Sequence, residues 1–257
     1  MRYLEFRTST PNHAIISEFW RFEAGKLPGP VDHIIPPDGL VSVWFVRQAD
    51  GGQFCGVTGP AVKAVKTVVQ NGMTIIGVRM KPGAPARFMA QPLCDIAGAI
   101  LPLADAAPSL LAPFTAAAPA ALTEDFAPLE AVFDAIDAAA PPIDAAAAHI
   151  AELLIASQGS HAIGALAAAE GLSMKSARRR FLAATGLNPK DFARMRRIRR
   201  ACIEALHDDS RWSAVSLEAG FADQAHLARE FRDIFDLPPS EVKKALMRIR
   251  HNAVISG

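Results

Sequence analysis

Few residues in this sequence could hold a metal or attack a substrate. The three cysteines, Cys55, Cys94 and Cys202, are far apart, odd in number and without metal-ligand spacing. A reduced, cytoplasmic protein is the default expectation. His13 and His33 are the only histidines before residue 149, and they form no HxH or HxxxH pair. Neither a metal site nor a cofactor is therefore expected. No Ser/His/Asp set appears, and the glycines at 51–52 and 56–59 lack the following helix that a phosphate cradle needs. There is no run of about 18 strongly apolar residues, as a membrane span would require. The first residues, MRYLEFRTSTPNH, contain no secretory apolar core. Net charge is also small, at a formal +1.

That small net charge hides an asymmetry. Residues 145–257 hold 17 Lys/Arg against 12 Asp/Glu, and residues 1–144 hold 10 against 14. A basic half joined to an acidic half fits a nucleic-acid-binding domain attached to a domain of another kind. A chain of 257 residues has room for about two such domains.

The first hundred residues read as short strands between turns. Leu40–Val46, Val62–Val69 and Thr74–Met80 are apolar runs bounded by Pro37-Asp38-Gly39, Asp50-Gly51-Gly52, Gly59-Pro60, Asn71-Gly72 and Lys81-Pro82-Gly83. Asn71-Gly72 between two β-rich runs predicts a hairpin. His13–Phe22 is amphipathic and reads as either helix or strand. Such spacing predicts a small barrel or sandwich. Within it, Arg79 is suited to grip an anion bidentately, or to pair with an acid of the same half. Trp20 and Trp44 could line an apolar pocket beside it or serve as core. His33, before a Pro-Asp-Gly turn, reads as structural. Residues 84–142 are rich in alanine and proline. In them Leu129, Val132, Phe133 and Ile136 mark one helical face, open either to docking on their own domain or to a dimer contact.

Residues 143–257 read as all helix, with one pattern used twice. In the first copy, Ile163–Glu170 is a short helix, Gly171 a turn, Leu172 a plug and Ser173 an N-cap. In the second, Trp212–Ala219 is followed by Gly220, Phe221 and the N-cap Asp223. The copies lie about 49 residues apart, as an internal duplication would place them. Between them, a helix predicted over Pro189–His207 carries Arg194, Arg196, Arg197, Arg199 and Arg200, some expected on phosphates. Lys175, Arg178 and Arg179 project from the second helix of the first copy, with Arg180 nearer its rear. Gln224, Ala225, His226 and Arg229 lie off the Leu227–Phe231 apolar stripe in the second. Amide, imidazole and guanidinium groups at a helix front suit a major-groove reader.

The second copy resembles the AraC family of bacterial transcription regulators through Gly220, Phe221, Asp223, Gln224, His226, Leu227, Arg229, Phe231 and Pro238-Pro239-Ser240. The first resembles it through Leu166, Gly171, Leu172, Ser173, Phe181, Gly186, Pro189 and Phe192. Ser216 and Ala177 depart from that pattern, which usually has a small apolar residue and a leucine there. Residues 1–105 resemble an uncharacterised N-terminal domain that accompanies such helices. The matching pieces are Tyr3, Glu5-Phe6, Phe19–Phe22, His33–Gly39 and Gly77–Ala84.

The resemblance implies a two-domain α+β chain. A mostly-β, small-barrel, cupin-like sensory or dimerisation domain occupies 1–120, a helical connector 121–142 and a tandem helix-turn-helix domain 143–257. It implies a sequence-specific DNA-binding transcription regulator, with no catalysis. Lys175, Arg178 and Arg179 would read one groove segment, and Gln224, Ala225, His226 and Arg229 the next. Expected partners are double-stranded DNA, a small-molecule effector, RNA polymerase and a second copy of the chain. An effector site is placed at Arg79, Trp20 and Trp44. The rival reading is a DNA-tethered repair enzyme that transfers an alkyl group to Cys55 or Cys94, though neither has a neighbouring base. A constitutive DNA binder with a purely dimerising first domain is a third.

Overall fold

The computed structural model describes residues 1–206 and 211–251. Its strands are β1 (Arg2–Phe6), β2 (Ile16–Glu23), β3 (Val31–Ile35), β4 (Ser42–Arg47), β5 (Gln53–Thr58), β6 (Val65–Val69), β7 (Thr74–Met80), β8 (Ile100–Pro102) and β9 (Arg250–His251). Seven of them form one sheet in the order β8-β5-β4-β7-β2-β1-β9, while β3 and β6 form a two-stranded ribbon. All pairings are antiparallel except β1 with β9. The expected barrel thus takes the form of a sheet and a ribbon, closed by side chains and not by a continuous ladder. Phe22, Val46, Val69 and Met73 fill the space between them.

Of His13–Phe22, left open between helix and strand, residues 16–22 are strand, within β2. One local expectation resolves differently. Asn71-Gly72 is a turn, with Gly72 at φ +70, but β6 and β7 do not pair across it. β6 pairs with β3, and β7 lies between β2 and β4. A turn fixes the reversal of the chain and not the choice of partner. β7 (TIIGVRM) is buried on both faces over most of its length, so it takes a central position and draws in a strand on each side.

The helices are α1 (Leu103–Ala106), α2 (Pro108–Ala117), α3 (Ala127–Ala139), α4 (Ala145–Ala156), α5 (Ile163–Ala169), α6 (Met174–Thr185), α7 (Pro189–Ala205), α8 (Trp212–Glu218), α9 (Gln224–Phe235) and α10 (Pro239–Met247). The joining helix is observed to Ala205, and His207 lies outside the described residues. α2 and α3 cover one face of the sheet. Phe114, Leu129 and Phe133 pack with Phe19, Phe45, Ile76 and Val78 in one core. The face Leu129, Val132, Phe133 and Ile136 therefore docks on its own sheet, and the dimer contact suggested for it loses its apolar surface.

The C-terminal helices build two further cores. One joins α4, α5, α6 and the start of α7 through Ile150, Leu154, Leu166, Phe181 and Phe192, with the Phe181 and Phe192 rings 5.4 Å apart. The other joins the rest of α7 to α8, α9 and α10 through Met195, Ile198, Val215, Leu227, Phe231, Phe235 and Val242. α7 belongs to both, so a single helix sets the relation between the two helix-turn-helix units. The β-rich part packs against both units. Lys63 pairs with Asp233 at 2.7 Å and Lys66 with Asp236 at 2.9 Å, while the Ala64 amide donates to the Ile234 carbonyl at 2.9 Å.

Candidate nucleic-acid interface

The second helix of each unit, α6 and α9, begins on a side-chain cap. Ser173 Oγ accepts from the Ser176 amide at 3.2 Å, and Asp223 Oδ1 accepts from the His226 amide at 2.6 Å. Each cap satisfies a first-turn donor that the helix itself cannot. Ahead of them, Gly171 at φ +64 and Gly220 at φ +74 take the left-handed turn that a β-carbon would strain. The two units are thus built alike, as the duplicated pattern predicts. Ser216 is buried yet satisfied, its hydroxyl donating to the Ser213 carbonyl at 2.8 Å.

On α6, Lys175, Arg178 and Arg179 are exposed, and Arg178 Nε donates to Asn188 Oδ1 at 3.0 Å. Arg180 is committed elsewhere. Its Nε and Nη2 hold Asp144, the N-cap of α4, at 2.8 and 2.7 Å. The guanidinium keeps the Asp144 carboxyl below the usual carboxylate range. On α9, Gln224, Ala225 and Arg229 are exposed. His226 is half-buried, edge-on to Phe221 at 5.4 Å and 3.6 Å from Glu230.

The arginines of α7, some of them expected on phosphates, are largely engaged within the chain. Arg194 pairs with Glu230 and with Asp233, the latter at 2.6 Å. Arg197 lies 6.0 Å over the Phe221 ring, and Arg200 pairs with Glu218 at 3.1 Å. Arg196 is buried, and Arg199 reaches Glu5 of the sheet at 3.4 Å. Arg194, Arg199 and Arg200 thus tie α7 to α9, to the sheet and to α8.

The structure brings Arg79, Trp20 and Trp44 onto one face of the sheet but does not make them one pocket. Both residues are register partners of Gly77, but their indoles cover different glycines: a β-carbon on Gly77 would lie 1.9 Å from Trp20 Cε2, and one on Gly56 would lie 2.4 Å from Trp44 Cη2. Trp44 Nε1 donates to Thr58 Oγ1 at 3.0 Å. Arg79 is buried in an acidic ring, paired with Glu18, with Asp38 at 2.7 Å and with Glu5 at 3.2 Å. Its Nη2 also donates to the Tyr3 hydroxyl at 3.1 Å. Burial pushes that phenol up to about 12 and raises the Asp38 carboxyl against the pull of Arg199. A cavity of about 480 Å³ adjoins Arg79, but its walls include neither tryptophan. They include Arg196 and Arg199 of α7, two of the five arginines of which some were expected on phosphates. Only the packing of α7 on the sheet could have reassigned them.

The thiols offer no activated nucleophile. Burial raises the Cys55 thiol, a hydrogen bond to Asp95 raises Cys94, and burial pushes Cys202 up to about 12. A raised thiol is less often thiolate at neutral pH. Among the described residues no group of three or more His, Cys, Asp or Glu could hold a metal ion, and no helix is long and apolar enough to cross a membrane.

Residues 166–245 match the family described as "Helix-turn-helix domain", of the AraC type. Residues 7–102 match "Domain of unknown function (DUF6597)". Among solved structures, the chain is similar to a probable AraC family transcriptional regulator from Rhodopseudomonas palustris. Identity is 27% over 39% of this chain and 96% of that one, with a TM-score of 0.35. It is similar to the C-terminal domain of the response regulator yesN from Fusobacterium nucleatum at 17% identity, over 37% of this chain and 93% of that one, with a TM-score of 0.34. It is also similar to unsaturated fatty acid bound ToxT from Vibrio cholerae at 8% identity, over 96% and 100% of the two chains, with a TM-score of 0.48. No curated protein sequence matches the chain.

Proposed function

Through residues 166–245 the chain belongs to the AraC-type helix-turn-helix regulators and is a DNA-binding transcription regulator, and from this premise we propose how it reads its site. Lys175, Arg178 and Arg179 on α6 contact one major-groove segment. Gln224, Ala225, His226 and Arg229 on α9 contact the next. The carrying observation is the pair of capped helices with exposed polar fronts, held at either end of one 17-residue helix. At about 1.5 Å per residue that helix is roughly 25 Å long, which suits two heads in successive grooves of one duplex face. His226 works from a fixed position, braced by Phe221 and Glu230. Arg and Gln pair with guanine and adenine edges, and the Ala225 methyl suits a thymine.

The β-rich part, 1–120 with its connector 121–142, controls the 143–257 reading unit through a small molecule or through dimerisation. The protein acts in the cytoplasm, without catalysis, and contacts RNA polymerase when bound. Selection of binding sites from random duplex by the full chain tests the reading. The expected product is a bipartite site with its halves about one helical turn apart. Enrichment of a single short element, or of none, would contradict it.

A further inference from the structure

Arg196 is a buried cation of α7 whose nearest attractive acid, Asp38, is already paired with Arg79. Its side chain is 6% exposed, its Nε lacks a hydrogen-bond partner, and no ion pair reaches it among the described residues. The three acids nearby are already engaged. Glu5, Glu18 and Asp38 all pair with Arg79, and Glu5 also pairs with Arg199. Burial and the neighbouring Arg199 push Arg196 down to about 10, so it is still charged at neutral pH. Buried charges are ordinarily paired, because leaving one unpaired in a low dielectric is costly.

Arg196 lines the cavity of about 480 Å³ between the sheet and α7. Arg7 and Lys81 stand on the same wall, neither in an ion pair among the described residues. Ile16, Leu40 and Ile155 supply apolar surface. One unpaired guanidinium, two cations beside it and an apolar wall define a complement: a single negative charge on a small apolar body. We propose that this cavity binds a small organic monoanion, such as a carboxylate, whose charged group pairs with Arg196. Its regulatory consequence rests on the reading that the β-rich part controls the DNA-binding unit. An anion held between the sheet and α7 would bias the helix that spaces the two reading heads.

The test uses the full chain without DNA, benzoate as probe and benzamide as its uncharged isostere, at matched ionic strength and neutral pH. Calorimetric titration should show saturable binding of benzoate and none of benzamide, and benzoate should raise the thermal midpoint. In Arg196→Met the benzoate affinity should fall about tenfold or more, the scale of a lost charge-assisted hydrogen bond. Without ligand that variant should melt no lower than the parent, because it removes an unpaired buried charge. Lys81→Gln, at the cavity wall, should weaken benzoate several-fold without touching the buried ring. Equal responses to benzoate and benzamide, or benzoate binding unchanged in both variants, would overturn the site. So would a large drop in the ligand-free midpoint of Arg196→Met, since it would reveal a structural partner. DNA affinity of the same preparation without benzoate tests the reading of α6 and α9 separately.

Discussion

Arg229→Ala isolates a single contact on α9. Arg229 is exposed, while its neighbours Leu227 and Phe231 are fully buried, so truncation should spare the fold. If the guanidinium pairs bidentately with a base, the variant should lose about 1–3 kcal/mol on the specific site, roughly 5- to 150-fold in affinity, and relax preference at one base pair. A phosphate contact predicts another pattern: equal weakening on all sequences, and a log–log salt slope reduced by about 0.9. Phe231→Ala is the control for misfolding. Its ring lies 5.1 Å from Phe235 and 5.8 Å from Trp212, and its loss should cost about 3–5 kcal/mol of stability. Fluorescence anisotropy over a salt series, with site selection for each variant, separates the outcomes. Unchanged affinity and unchanged base preference in Arg229→Ala would refute the assignment of α9 as a reader through Arg229.

The internal ion pairs of α7 give a second expectation. Arg200→Ala should leave the salt slope of DNA binding unchanged, whereas Arg179→Ala should lower it by about 0.9 if that side chain meets a phosphate; a reversed order would place α7 on the backbone after all. Asp144→Ala removes the N-cap of α4 and the partner of Arg180, and urea unfolding should show a loss of about 0.5–2 kcal/mol. Because Arg180 lowers the folded-state pKa of Asp144, this stabilisation is full above the ordinary carboxylate pKa and fades as pH falls through the lowered value. A parent-to-variant difference that instead grew on acidification would reject the pairing. Finally, a fragment of residues 1–142 should give a cooperative thermal transition by circular dichroism and fail to shift duplex DNA; a shift matching that of the full chain would mean the division of labour is wrong.

Much of the C-terminal half was legible because its information is local. Gly171 and Gly220 need left-handed backbone, Ser173 and Asp223 sit where first-turn amides lack partners, and Leu227, Phe231 and Ile234 repeat at helical spacing. Each of these acts within a few residues, and a duplicated pattern states it twice. The exposed fronts of α6 and α9 followed from the same periodicity. The β-rich half was legible only as strands and turns. Pairing joins residues distant in sequence, so Asn71-Gly72 announced a reversal while β6 went to β3 and β7 to the centre of the larger sheet.

Charge behaved in the same way. The sequence by itself determined that Arg79 and the arginines of α7 exist and where they lie along their elements. What they are for was decided by tertiary structure, since an ion pair depends on what is within a few ångströms in space. Packing of α7 against α9 and α8 turned Arg194 and Arg200 into braces, and its docking on the sheet placed Arg199 beside Glu5. Folding of the sheet spent Arg79 on three acids and set Trp20 over Gly77 and Trp44 over Gly56 as packing, while the docking of α7 put Arg196 at the wall of a cavity that no stretch of sequence contains.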